Sequence, residues 1–373
     1  MSTKSTDNIS TVCGLDALYY QLRIEPQSYI NFYVGCTSEQ KAIFGNFRII
    51  SQNWKNQYTR FELRDSENES QVIARIGFKN LNTKDFLEYV QVQLDTYYMN
   101  MYGIDYVCNL VEEELSLLGL EILGSKVSRV DLNTYVYGYD FSYLSYYHFS
   151  TLVRSNSKIY SALKDNLATF YLGSRTNNTT PLLRIYDKWL ELKEFKDKEE
   201  QNKKEQKKQM IFLKFKEEHN INLDDRLPLW NVEFELKRDL LRTYKIDTLE
   251  DLFCCVNSLH TDIMKRMRLL TKKKKKDETN AERIPTAPVW NKIRKEFNYM
   301  HSNLPVDKII PIKYVKDLEW SLNRIEEYWK NNIDNLTPVQ YLQAVNDRIT
   351  KLIQEENILI KENTPYSTSI FTA

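Results

Sequence analysis

The chain has 373 residues, 42% of them hydrophobic and 28% charged, with 52 lysines and arginines against 51 aspartates and glutamates. That composition can bury a core spread over two or three domains and excludes a disordered chain. No apolar run approaches the roughly 20 residues needed to span a bilayer, and a net charge of +1 does not by itself predict nucleic-acid binding, which usually marks a basic domain.

Residues 1–10 are polar and lack the apolar core of a signal peptide, so a cytoplasmic location and no membrane partner are expected. Residues 15–78 read mostly as strands, among them 44–50, 58–64 and 72–78, the last two joined as a hairpin across Asp65-Ser66-Glu67-Asn68. Residues 83–120 carry Phe86, Leu87, Val90 and Leu94 at helical spacing. A strand is expected over 127–137 and a helix over 145–163. Strands follow at 168–172 and 182–188, joined by a polar loop that begins Gly173-Ser174-Arg175. Residues 191–220 are rich in Lys and Glu with opposite charges four apart, which suggests an exposed helix, an arm projecting from the domain. A strand at 230–240 and a helix at 249–270 precede a hydrophilic, basic linker.

The tail holds two amphipathic stripes. One carries Val315, Leu318, Leu322, Ile325 and Trp329; the other starts at Thr337-Pro338, an N-cap with proline at the first helical position. Such stripes suit a core or an oligomer interface. The expected organisation is a sheet-based domain at 1–270 with the charged arm at about 191–220, a basic linker at 271–284 and a helical C-terminal region at 285–373.

Five scattered cysteines without a CxxC pair argue for free thiols rather than a disulfide framework or a zinc site. No two of the four histidines stand at metal-ligand spacing. The 25 tyrosines can pack a sheet or stack on bases.

Three strands combine an apolar face with a chemically loaded one. In Leu182–Lys188, Arg184, Tyr186 and Lys188 share a face, while Leu183, Ile185 and Asp187 share the other. In Arg129-Val130-Asp131-Leu132-Asn133 the polar face holds Arg129, Asp131 and Asn133, and in Val232–Lys237 it holds Glu233, Glu235 and Lys237. A tyrosine between two cations suits attack on a phosphodiester, because positive charge favours the phenolate and holds the phosphate. Carboxylate oxygens suit Mg²⁺ or Mn²⁺. The same pattern also suits a solvated sheet face laced with cross-strand ion pairs, each worth roughly 0.2–1 kcal/mol.

In order and spacing, four segments resemble the replication initiation factor (Rep-trans) family of rolling-circle replication initiators and related conjugative relaxases. They are Ser128-Arg129-Val130-Asp131-Leu132, Phe170-Tyr171-Leu172-Gly173-Ser174-Arg175, Leu183-Arg184-Ile185-Tyr186-Asp187-Lys188 and Trp230-Asn231-Val232-Glu233-Phe234-Glu235-Leu236-Lys237-Arg238. The resemblance covers roughly residues 15–300. It implies an α+β fold, a curved antiparallel β-sheet nicking domain with flanking helices. It implies that Tyr186 is the nucleophile, assisted by Arg184 and Lys188, that Asp131 and Glu233 belong to a site for Mg²⁺ or Mn²⁺, and that Arg175 touches the scissile strand. Glu62, Glu235 and Asp187 compete for the remaining metal position, with Asp187 facing away from Tyr186 in a regular strand. Arg129, Lys237, Arg238, Lys272, Lys273 and Lys274 are further candidate DNA contacts. The chain departs from the pattern at Tyr135, where a second acidic residue is usual, and at Asn231, where an arginine is usual.

The expected activity is nicking of one origin strand through a 5′-phosphotyrosine link, with a free 3′-OH and later religation. The expected partners are origin DNA, a host helicase and polymerase, and a second copy of the chain as a homodimer. A conjugative relaxase, a non-catalytic DNA-binding protein and a purely structural protein stay open as alternatives.

Overall fold

A computed structural model describes residues 8–38, 47–51, 58–65, 71–79, 89–151, 158–163, 166–193, 197–275 and 280–300. They belong to one compact unit, Met1–Lys308. The amphipathic stripes beyond residue 308 lie outside the described residues.

In chain order the elements are β1 (Ser10–Ile24), α1 (Pro26–Ser38), β2 (Phe47–Ser51), β3 (Tyr58–Arg64), β4 (Val72–Lys79), β5 (Tyr89–Leu94), α2 (Thr96–Tyr102), α3 (Ile104–Leu117) and β6 (Ile122–Tyr137). A 3₁₀ turn at Tyr146–His148 leads into β7 (Phe149–Thr151), β8 (Lys158–Leu163), β9 (Asn166–Leu172) and β10 (Leu182–Asp187). There follow α4 (Lys188–Lys193), α5 (Lys198–His219), β11 (Leu229–Lys237), α6 (Arg238–Thr243), α7 (Leu249–Arg266), β12 (Met267–Leu269) and α8 (Pro288–Glu296).

Among the described residues ten strands form one antiparallel sheet in the order β2-β3-β4-β5-β1-β6-β11-β10-β9-β8. This is an α+β fold with helices flanking a large antiparallel sheet. One face buries the main core: Leu18, Val130, Leu132, Ile185, Val232 and Phe234 meet apolar residues of α3, α7 and α8. On the other face a smaller core joins Val12, Tyr135, Tyr137 and Leu229 to Leu192 of α4 and Met210, Ile211 and Phe215 of α5.

Several elements differ from the sequence expectation. Residues 15–78 are not all strand, because Pro26 occupies the first position of α1 and the Glu25 side chain accepts from Ser28 N at 2.7 Å, starting a helix. Residues 89–94 are strand, not helix. Val90, Val92 and Leu94 alternate with polar residues and pair between β4 and β1, and the helix begins only where the Asp95 side chain accepts from Tyr97 N. Within 145–163 the described residues hold the 3₁₀ turn, β7 and β8 rather than a helix; β7 pairs with β12. The tyrosine strand ends at Asp187, whose side chain accepts from Leu190 N at 3.1 Å, so Lys188 opens α4.

The charged segment forms the expected helix but not a projecting arm. Asp197 caps the start of α5 and Asn220, at φ 55°, ends it. Met210, Ile211 and Phe215 of its C-terminal half are buried against the sheet. The expected linker also folds back: Thr271 N donates to Pro285 O at 3.0 Å and Leu270 bridges Thr286.

Candidate active site

Backbone register builds the site. Antiparallel partners that stand directly opposite put their side chains on one face. Tyr186 of β10 pairs with Asn231 of β11, which pairs with Tyr135 of β6. The next row is Arg184, Glu233 and Asn133, continuing to Gly14 of β1; the one after is Glu235, Asp131 and Ala17, and then Lys237, Arg129 and Tyr19. All lie on the face opposite the main core. Gly14 lets the Asn100 and Asn133 amides close over its row, since a Cβ there would collide with Asn100 Oδ1 and stand 3.0 Å from Asn133 Oδ1.

β1 contributes Asp16 through a register shift between Leu15 and Ala17. Such an extra, unpaired residue re-aims a side chain. Asp16 Oδ1 accepts from Lys207 Nζ of α5 at 2.6 Å, so the helix is fastened over this face. Burial works against the Asp16 carboxylate, but Lys207 and Lys188 hold its pKa down at about 2.

Asp131 and Glu235 face each other across β6 and β11, an unfavourable pairing of like charges. Two arginines resolve it. Arg129 donates to both Asp131 oxygens, at 2.7 and 2.5 Å, and lies 3.1 Å from Glu235. Arg184 Nη2 lies 2.8 Å from Asp131 Oδ2 and 3.4 Å from Glu235, and also donates to Glu233 Oε1. Burial raises the Glu233 pKa well above the carboxylate range, with Asp16 adding to the effect and Arg184 opposing it.

Tyr186 Oη accepts a hydrogen bond from Asn231 Nδ2 at 2.7 Å, and Asn231 Oδ1 accepts one from Asn133 at 3.1 Å. The expectation that flanking cations favour the phenolate is overturned. Burial, then Glu233 and Asp16, raise the Tyr186 pKa well above its ordinary value, with Lys207 opposing them, and Arg184 is itself engaged by three carboxylates. Lys188 keeps the same face as Tyr186 although it is helical. Its Nζ lies 5.3 Å from the Tyr186 ring centre, 5.5 Å from that of Tyr135 and 2.7 Å from Glu191. Burial and then Lys207 pull its pKa down to about 8.

The carboxylates have the right chemistry for Mg²⁺ or Mn²⁺, but their arrangement does not fit one. Oxygens of Asp131 and Glu233 converge on a single nitrogen of Arg184, where a shared cation would have to sit. Among the described residues no group of three or more metal-ligating side chains is assembled.

The other candidates divide. Glu235 and Lys237 join the site, with Lys237 Nζ bound to Arg175 O. Arg175 is exposed at its edge, stacked 4.7 Å above the Tyr171 ring. Glu62 does not join: β3 is four strands from β6, about 19 Å at 4.8 Å per strand, and its carboxylate pairs with Arg64 and Arg75. Arg238 is a structural clamp, donating to Val127 O, Ile246 O and Asp247. Lys272 and Lys273 are exposed, and Lys274 stacks 4.6 Å from the Tyr146 ring, apart from these rows. Asp16, Lys207, Glu191, Asn133 and Asn231 belong to the site but were not site candidates; only Asn133, named on a polar strand face, and Asn231, a departure from the resembled pattern, carried a signal.

No family model and no curated protein matches the chain. Among solved structures it is similar to the rolling circle replication initiator protein from Geobacillus stearothermophilus, at 12% identity over 81% of this chain and 100% of that one, with a TM-score of 0.42.

Proposed function

We propose that the chain is a DNA nicking-closing enzyme that initiates rolling-circle replication, with Tyr186 as its nucleophile. The observation that carries this reading is the adjacency of Tyr186 and Arg184 on one sheet face, a phenol beside a guanidinium that can hold a phosphate. Arg184 Nε, Asn133 Oδ1 and Tyr135 Oη are buried there without a hydrogen bond among the described residues, which suits groups that bind a substrate.

In this reading Lys188 takes the phenol proton while Tyr186 Oη attacks phosphorus in line. The Tyr186 O–P bond forms and the bond from phosphorus to the 3′ oxygen breaks. The 3′ oxygen leaves as a hydroxyl, with the proton returned by Lys188, and the 5′ phosphate stays on Tyr186. Religation is the reverse. Arg184 and Arg129 supply the positive charge that Mg²⁺ or Mn²⁺ was expected to bring. Origin DNA is the substrate, and a host polymerase would extend the 3′ end behind a helicase.

A second reading, a DNA-binding protein that kept the sheet without the chemistry, is favoured by the raised Tyr186 pKa. Nicking of supercoiled origin DNA, with a covalent protein–DNA adduct that resists detergent, separates the two. Tyr186→Phe abolishes both signals if the first reading holds; full nicking by that variant overturns it.

A further inference from the structure

The site rows do not stop at β6. Tyr19, opposite Arg129, continues to Gln93 of β5, Arg75 of β4 and Glu62 of β3, all on the site's face. A parallel row runs through Gln21, Gln91, Gly77 and Arg60. The side chains between these rows, Phe61, Ile76, Val92 and Tyr20, point the other way into the main core. Apart from Glu62, the two polar rows line one groove.

We propose that this groove is the track of a single-stranded nucleic acid leading to Tyr186, an inference that rests on the nicking function above.

Three observations support it. The first is charge. The chain as a whole is nearly balanced, yet Arg60 and Arg75 here face one carboxylate, Glu62, which Arg64 also engages, while Arg129 at the inner end is paired with Asp131 and Glu235. The second is the kind of polar group. The Arg129 guanidinium lies 5.2 Å over the Tyr19 ring, a cation–aromatic pair whose guanidinium plane a base can stack on, and the glutamine amides offer donors and acceptors to base edges. A duplex hides those edges and stacking faces; a single strand presents them. The third is access. Arg60 and Gln91 are exposed, and Gly77 between them leaves backbone as the groove floor.

The groove is continuous with the site, because Arg129 both caps Tyr19 and holds Asp131. Its span from β3 to β6 is about 19 Å, or about six nucleotides at the roughly 3.4 Å spacing of a stacked strand.

The test is fluorescence anisotropy of the full chain with a labelled single-stranded oligonucleotide and a labelled duplex of equal length, comparing wild type with Arg60→Glu/Gln91→Glu. Both positions are exposed and outside the nicking machinery, and an unchanged melting curve verifies folding. The expected result is at least a tenfold loss of single-strand affinity, a shallower salt dependence, and unchanged duplex affinity. Single-strand binding equal to wild type, or an equal loss on duplex, overturns the track. Failure of the nicking reading shows differently: wild type would bind the single strand and yield no adduct while the variant still loses affinity, which leaves the track standing.

Discussion

Asn231 donates a hydrogen bond to the hydroxyl oxygen of Tyr186 at 2.7 Å. The phenol is therefore an acceptor in this pair, and its own proton stays available for transfer. Asn231 stabilises the phenolate more than the phenol, since a hydrogen bond to an ionised acceptor is the stronger one. Asn231→Ala is expected to slow adduct formation about tenfold, the effect of about 1.4 kcal/mol in a barrier, with origin affinity unchanged. Single-turnover adduct formation against DNA binding checks this.

In the proposed mechanism Lys188 sets the pH dependence. With a pKa of about 8, its amine becomes neutral as pH rises through that value. Adduct formation should rise with pH and level off above about 8, and Lys188→Met should lose both rate and inflection. Stability follows the same group. Its folded pKa lies below the unfolded one, so the unfolded state binds more protons between them, and folding gains stability as pH rises from about 8 towards 10.5. Melting temperatures of wild type and K188M across that range should converge.

Arg184→Gln should remove the cation shared by Asp131 and Glu233. Breaking a buried pair from one side costs about 3–5 kcal/mol. The variant's carboxylates would then be open to a divalent ion, so Mn²⁺ should raise the melting temperature of Arg184→Gln and leave wild type unchanged. Equal Mn²⁺ stabilisation of both proteins would mean that Arg184 does not hold the cation position.

The clasp between Asp16 and Lys207 ties α5 to β1. The Asp16 pKa is depressed from 3.8 to about 2, so its stabilisation is present above the unfolded value and is lost as pH falls through about 2. Asp16→Asn should cost about 2 kcal/mol at pH 7, since each tenfold change in acidity is worth about 1.4 kcal/mol, and much less near pH 2. Denaturant unfolding at the two pH values measures the difference.

Pattern in the chain carries further for strands than for helices. The polar faces at Arg129–Asn133, Arg184–Tyr186 and Glu233–Lys237 are legible because the pleat puts alternate residues on one side whatever the strand pairs with. The helix at Pro26 and the strand at Tyr89 are not, because a short run of apolar residues fits either period until its neighbours are known. The two departures from the resembled pattern, Tyr135 and Asn231, look independent in sequence. They are register partners, and the second bonds to Tyr186, so they form one altered row.

By itself the sequence determined which side chains travel together: Tyr186 with Arg184, Asp131 with Arg129, Glu233 with Glu235. That follows from local backbone geometry alone. Only the tertiary structure decided that β10, β11 and β6 are neighbours, that Glu62 is too distant, and that α5 lies over the face instead of projecting from it. It also reversed the electrostatics of Tyr186. A phenol's ionisation depends on its burial and on the charges within a few ångströms in space, and here Glu233 and Asp16 come to it from other strands.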